Sequence, residues 1–412
     1  MNRAFVKDSL SLVAVANNDW HAIVLRALPL VILIGIFAFM LGLMRAGGNR
    51  ASGRAKSSAL LIASLLLLAV GAAGGWLAYS LYQHFQGFQA PGVFVDIPKG
   101  ASARGIGRIL ASQGVIRSSY AFALLARTRP QAKLEAGEYF FDRPVTAIEV
   151  FDTIAAGRIF EISVTVPEGF NTLQIAALLE EKGLVARGAF LAAAQDASPV
   201  RDLAPSAPSV EGFLFPATYH FPRHLTAQDA IATMTSHFRT VWNSLGSADP
   251  SPSTMIPAGA MSPDQIFTLA SMVESETPKP DERPIVAGVF VNRLRRGMRL
   301  ESDPTVVYAL EQAGKYRGVL TIPDLRFDSP YNTYRYNGLP PGPIANPGEA
   351  SLRAAREPAA VDYLYFVADT EGGHFFSKTL AEQNQNVARY HRLLKEKNKK
   401  EPAPPRRAQK QP

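Results

Sequence analysis

From Ser58 to Tyr82 the chain reads SALLIASLLLLAVGAAGGWLAYSLY without one charged side chain. In lipid every backbone polar group must be satisfied within the segment, and about 20 apolar residues suffice to cross as a helix. The run therefore predicts a transmembrane helix over 58–82, and the remainder of the chain has to be arranged on either side of it. Trp76, Tyr79 and Tyr82 cluster at its far end, where interfacial aromatics belong. The preceding linker, 45–57, holds Arg45, Arg50, Arg54 and Lys56 and no acid. The positive-inside rule puts it in the cytoplasm and everything after Tyr82 outside. A second apolar run, 22–44, is interrupted near its start by Arg26 and Pro29. Either it is an additional span, or the natural start is Met40 or Met44 and a single signal-anchor remains. Both runs are too long for the apolar core of a cleaved signal peptide.

A chain of 412 residues with 47% apolar residues can bury a core, and its length suggests two or three domains. The net charge of +8 sits beside the apolar runs and in the tail 396–412, which is expected to be disordered and basic. Nucleic-acid binding needs that charge on a folded face with interleaved aromatics; no such face is visible, so nucleic acid is not an expected partner. There is no cysteine, hence no disulfide and no thiolate metal site. No HExxH, GxSxG, P-loop or nucleotide-binding glycine motif occurs, and neither a metal nor another cofactor is expected.

Beyond the anchor lies an internal repeat. VDIPKGASARGIGRILASQGVI from Val95 aligns with VTVPEGFNTLQIAALLEEKGLV from Val164 at a constant offset, pairing Pro98 with Pro167, Gly100 with Gly169 and Gly114 with Gly183. Each copy reads as a short alternating strand, a Pro-x-Gly turn and an amphipathic helix closed by glycine. The first copy continues with a helix near Ser119–Arg127, a strand at EAGEYFF, and a helix opened by the capping pair Thr146 and Glu149. This strand-helix-helix-strand order over 91–160 resembles a LysM-like module, which implies a grip on glycan chains; a small α+β packing domain without a ligand is the alternative. Phe213, Phe215 and Tyr219, in EGFLFPATYHF, read mostly as core.

The strongest helix signals follow in SPDQIFTLASMVESET, from Ser262. Ser262 and Gln265 form a capping box, Pro263 occupies the first helical position, and Ile266, Leu269, Ala270 and Val273 make one apolar stripe. At 100° per residue Glu274 lies roughly 95° from the centre of that stripe, and Glu276 points about 200° away from Glu274. Apolar neighbours raise a carboxyl's pKa, so Glu274 suits a general acid; a solvated helix charge is the alternative. A second helix is expected over Ile285–Arg296, and Asp303 before Pro304 reads as the N-cap of a third. The segment SPYNTYRYNGLPPGPIANPGEAS, 329–351, is too irregular for helix or strand, and its tyrosines and amides suit a sugar. YLYFVAD, Gly372, Gly373 and HFFS predict a hairpin, with His374 in a structural position, and Thr379 and Glu382 cap a final helix to about Lys395.

LASMVESET, VFVNRLRRGMRLESDPTVVYAL, SPYNTYRYNGLPPGPIANPG and YLYFVADTEGGHFFS, in this order, resemble the blocks of the MltG-type (YceG-like) endolytic murein transglycosylases. The resemblance implies a bacterial inner-membrane protein whose α+β catalytic domain, 161–395, works outside the cytoplasm, after an anchor in 1–90 of one or two transmembrane helices. It implies Glu274 as the catalytic residue, and cleavage of nascent peptidoglycan between MurNAc and GlcNAc to leave 1,6-anhydro ends. Asp303, Tyr331, Asn332, Tyr334 and Asn346 are expected to position the sugars. Peptidoglycan synthases or division proteins are candidate partners. Where the family commonly carries F-P-D-T-Y this chain has Ala217, so the role of that carboxylate is absent, and Ser275 replaces a usual lysine.

Ordinary glycosidases need two carboxylates, and only one well-placed candidate is visible, which favours a reaction in which the substrate's own C6 hydroxyl is the nucleophile. This expectation requires Glu274 to face the tyrosine-rich segment and to be free of a permanent arginine partner. A hydrolytic muramidase using Glu301 or Asp303 as second carboxylate, and a non-catalytic glycan-binding scaffold, are the competing readings.

Overall fold

A computed structural model describes residues 53–246 and 261–400. The candidate span 22–44, most of the basic linker and residues 401–412 lie outside them. Chain contacts divide the protein into two compact units, 1–160 and 161–412. The fold is mixed α+β, and each unit encloses its own apolar cluster.

The first unit opens with helix α1 (Gly53–Tyr82), which starts a little before the predicted span. Its stretch Leu61–Tyr82 is long and apolar enough to cross a membrane, and Leu65 to Leu68 are all exposed. Then come β1 (Val93–Ile97), α2 (Ala103–Ser112), α3 (Ser119–Thr128), β2 (Gly137–Phe141) and α4 (Ala147–Ala155). The two strands pair antiparallel from Val93 opposite Phe141 to Ile97 opposite Gly137. The period of two sends Val95, Ile97, Tyr139 and Phe141 into the core, against Ile106, Leu110, Phe122 and Phe151. On the opposite face Phe94, Phe140 and Phe160 pack together, Phe160 meeting the other two rings edge to face. The helices begin where side chains satisfy the free N–H groups: Ser102 accepts from Gly105 and Ser118 from Ala121, while Thr146 and Glu149 form the expected capping box.

The second unit repeats the opening. Strand β3 (Ile162–Thr165), the Pro167–Gly169 turn and α5 (Thr172–Glu181) match β1, its turn and α2, and the turn glycines Gly100 and Gly169 have φ of 77° and 78°. That left-handed conformation explains why glycine stands at both places. As β1 pairs with β2 across two helices, β3 pairs antiparallel with β4 (Thr218–Phe221) across α5, α6 (Arg187–Ala194) and a long loop. Phe213, Phe215 and Tyr219 are buried, as read from the sequence.

Helix α7 (Ala227–Ser244) then precedes α8 (Pro263–Glu276), α9 (Arg283–Arg295), α10 (Asp303–Gln312) and α11 (Glu349–Arg356). The hairpin of β5 (Tyr365–Ala368) and β6 (His374–Ser377) and helix α12 (Leu380–Lys400) complete the unit. The capping box of Ser262 and Gln265 starts α8 where the pattern places it. The apolar stripe proves too narrow a description: Phe267, Thr268, Ser271 and Met272 are buried with Leu269, Ala270 and Val273. Helices α9, α10 and α11 all pack on α8, so it is a central helix. Two local expectations are corrected. Asp303 is the first residue of α10 and Ser302 its N-cap, and the alanine-rich α11, invisible among the loop signals, begins directly after Gly348.

Close packing of α9 depends on Gly288. A methyl group there would lie 2.5 Å from the carbonyl oxygen of Ala359, in a segment tied back to the helix by the 2.9 Å bond from the Ala359 amide to the Pro284 carbonyl. Gly288→Ala should therefore lower stability by about 1–3 kcal/mol through overpacking. The measurement is the urea midpoint, and an unchanged midpoint would contradict this close approach.

Candidate active site

The last turn of α8 carries Glu274, Ser275 and Glu276. Glu274 leaves the helix beneath two backbone turns, since a Cβ on Gly169 would sit 3.7 Å from its Cγ and its Oε2 accepts the Gly348 amide at 3.0 Å. Gly348 lies near the end of the irregular segment 329–351, so the carboxylate meets that segment at its glycine end, while Tyr334 of the same segment is bonded to Asp303, near Glu276. Its side chain is 5% exposed.

The expectation of an arginine-free acid is not met. Arg283, the first residue of α9, places Nη2 at 2.9 Å from Glu274 Oε1. A tight turn over 277–282 brings the start of α9 back beside the end of α8. Glu282 fixes that turn, accepting from the Thr277 hydroxyl and the His374 amide, with His374 Nδ1 2.7 Å away. His374 thus has the structural position foreseen for it. Burial nevertheless prevails at Glu274. Desolvation raises its pKa above the ordinary carboxylate value, against the Gly348 amide, the Ser351 hydroxyl and Arg283, and a second carboxylate, Glu168, adds to the rise.

Glu168 was not singled out from sequence. It stands in the Pro167–Gly169 turn, where the first copy of the repeat has Lys99, and its Oε2 lies 3.3 Å from the same Arg283 Nη2. The deficit of a second carboxylate is therefore a property of the linear reading and not of the folded chain. The available signal was the change of charge between two otherwise matching turns.

Two clefts flank this centre. One of about 330 Å³ is lined by Gly169, Asn171, Ser275, Asp303, Tyr308 and Ile344; the other, of about 510 Å³, by Glu168, Pro284, Glu349, Arg353 and Glu357. Both volumes fall in the range of about 300–1,000 Å³ usual for small-molecule sites. Asp303 lines the first and accepts the Tyr334 hydroxyl at 2.7 Å. The Tyr331 ring packs against that of Tyr308, tilted by 58° with centroids 5.0 Å apart. Asn332 and Asn346 are both fully buried and turned into the backbone. Asn332 donates to the carbonyls of Leu325 and Phe327 and accepts from the Tyr334 amide. Asn346 accepts from the Leu214 amide and donates to the Phe170 carbonyl and Glu211.

Glu211, also missed from sequence, is the hub beneath the site. It accepts from the Thr172 amide at the start of α5, from Asn346 and from the Tyr308 hydroxyl, and burial pushes its carboxyl up to about 7. Glu276 lies on the other side of α8 from Glu274, as the helical angle requires. It accepts from the Ser302 hydroxyl, and burial, with Asp303 nearby, pushes it up to about 7.

A carboxyl whose proton affinity is raised by burial, with two clefts of small-molecule size on either side, is an arrangement that acid–base cleavage of a glycosidic bond can use. Residues 95–389 match the YceG-like family, and the chain belongs to it. The chain is 33% identical over 324 residues to an endolytic murein transglycosylase of Bacillus subtilis, covering 75% of this chain and 86% of that protein. It is 28% identical over 369 residues to the endolytic murein transglycosylase of Streptococcus pneumoniae, covering 81% of this chain and 65% of that one. A solved YceG-like protein from Listeria monocytogenes shares 33% identity, with a TM-score of 0.47 over 71% of this chain and 98% of that one.

The raised carboxyl of Glu276 has a consequence for stability. In the folded state it holds its proton to about 7, against the ordinary value of 4.5. Between those values the folded chain binds more protons than the unfolded one, so this group's contribution is present below 4.5 and is lost as pH rises to about 7. Urea unfolding across that window should show a shallower fall of stability in Glu276→Gln than in the unaltered chain. Equal slopes would contradict the assignment.

Proposed function

We infer that this chain is a peptidoglycan lytic transglycosylase, with Glu274 as its acid and base. The reading is carried by the burial of Glu274 under Gly169 and Gly348, next to residues that line the two clefts, Glu168 on one side and Gly169 and Ser275 on the other, and family membership supports it. The protonated carboxyl donates to the oxygen between MurNAc and GlcNAc as the C1–O bond breaks. The resulting carboxylate then takes the proton of the muramoyl C6 hydroxyl, whose oxygen closes on C1. The products are a 1,6-anhydro end and a free GlcNAc hydroxyl, with no water consumed and the carboxyl protonated again. Because the nucleophile is part of the substrate, only one proton-shuttling group is needed.

Asp303 and Tyr334, bonded to each other at the rim of the smaller cleft, are the side chains we assign to direct contact with sugar. Tyr331 supports them through Tyr308, while Asn332 and Asn346 act from beneath by holding the loop. We further read α1 as the anchor of a bacterial cytoplasmic-membrane protein whose second unit faces outward, cutting nascent strands as they are made. The paired strands of 91–160 with the two helices between them fit a LysM-like grip on the glycan. Peptidoglycan synthases or division proteins are the partners that such a place would bring near.

Glu274→Gln keeps the shape and removes the proton, so cleavage of uncrosslinked glycan should fall by at least about 10²–10⁴-fold with the thermal midpoint largely kept. Mass spectrometry of the products gives the chemistry: 1,6-anhydro ends are expected. Ordinary reducing ends would indicate a muramidase, and unshortened strands a binding protein.

A further inference from the structure

The arginine beside Glu274 poses a problem that the proposed chemistry must solve. A buried acid that has to start protonated is paired with a permanent cation, and that pairing alone favours the ionised form. The geometry contains the counterweight. The same Nη2 of Arg283 that touches Glu274 Oε1 at 2.9 Å also reaches Glu168 Oε2 at 3.3 Å. The side chains of Arg283 and Glu274 are both almost wholly buried, 7% and 5% exposed, whereas half of the Glu168 side chain is exposed, on the larger cleft that it lines. Glu168 reaches this position because Gly348 has no side chain: a Cβ there would fall 2.1 Å from Glu168 Oε1. The Pro167–Gly169 turn is locked in turn, since the Gly169 amide donates to the Asn346 carbonyl at 3.0 Å and the Asn346 amide to the Phe170 carbonyl at 2.9 Å.

We propose that Glu168 is a positioning residue for the acid, sharing the Arg283 guanidinium with Glu274 and holding it whenever Glu274 carries its proton. The inference rests on the reading of Glu274 as acid and base. While Glu274 is protonated, Arg283 is neutralised by Glu168. Once Glu274 has given its proton to the leaving oxygen, the same guanidinium stabilises the new carboxylate without moving across the site. Proton return from the muramoyl C6 hydroxyl restores the first arrangement. Over the cycle Glu274 loses one proton and regains one, so the net transfer is from the C6 hydroxyl to the leaving oxygen and neither Arg283 nor Glu168 changes its charge.

The charged groups facing Glu274 are few, which makes the idea testable by pH. Helix α9 contributes Arg283, the Pro167–Gly169 turn contributes Glu168, and α11 contributes the Gly348 amide and Ser351 hydroxyl. Farther along the larger cleft stand Glu349, Arg353 and Glu357, of which Arg353 is bound to Glu349 at 2.7 Å. Glu276 belongs to the opposite side of α8, around Ser302, and Asp303, near it, lines the smaller cleft.

The experiment is the pH dependence of kcat/KM for the full chain in detergent on uncrosslinked glycan strands, with Glu168→Gln and Arg283→Gln beside the unaltered protein. Activity falls at high pH as Glu274 loses its proton. Glu168→Gln leaves Arg283 to Glu274 alone and should move that limb down by about one pH unit, a tenfold loss above it with little loss below. Arg283→Gln should move it upward. A Glu168→Gln profile that keeps its midpoint, whether or not it is uniformly lowered, overturns the proposal, as does a shift of both variants in the same direction. Glu168 is half exposed, so its variant carries the test should the buried arginine variant fail to fold. Anhydro products persisting in Glu274→Gln would instead overturn the assignment of the acid.

Discussion

The site depends on a balance at one buried carboxyl. Burial pulls Glu274 toward its neutral form, while Arg283, the Gly348 amide and the Ser351 hydroxyl pull it toward the charged form. Neither tendency is useful alone. A fully desolvated acid without donors would never give up its proton, and one held by arginine without burial would never keep it. The second unit is built to impose both. Helix α8 runs through the core and delivers Glu274 at its last turn, and the chain reversal into α9 supplies the cation. Segment 329–351 supplies the amide at its end.

That arrangement requires elements far apart in sequence to be held to within tenths of an ångström, and buried polar groups do the holding. Glu211 and Asn346 connect the start of α5, the Phe213–Tyr219 segment, α10 and the loop before α11 in one hydrogen-bonded cluster. Such groups are costly to bury unless every partner is in place, which makes them effective at excluding other arrangements. The internal repeat shows how one local motif was put to two uses. Both copies have a strand, a left-handed glycine turn and a helix, but only the second copy has a glutamate in the turn and the end of α8, with Glu274, against it.

Much of the local architecture was legible in the chain. The apolar run, the capping boxes at Thr146, Ser262 and Thr379, the repeat, and the hairpin turning at Gly372 all follow from short-range chemistry, and the structure has them where the pattern puts them. The opposed directions of Glu274 and Glu276 follow from helix geometry alone. The short helix α11 was hidden because it follows a proline- and glycine-rich loop and has no side-chain cap. The stripe on α8 was underestimated because burial all round a helix leaves no strong periodicity to read.

By itself the sequence determined the apolar run, the capped starts of the helices at Thr146, Ser262 and Thr379, the repeated strand-turn-helix and the last hairpin, and that Glu274 borders a core. Those outcomes depend on groups a few residues apart. Only the tertiary structure decided the company that Glu274 keeps. Glu168 is 106 positions before it and Gly348 is 74 after it in the chain, and no local rule brings either within reach. Tertiary packing also turned Asn332 and Asn346 inward, because a loop of this length must satisfy its own carbonyls and amides before it can present anything to a ligand.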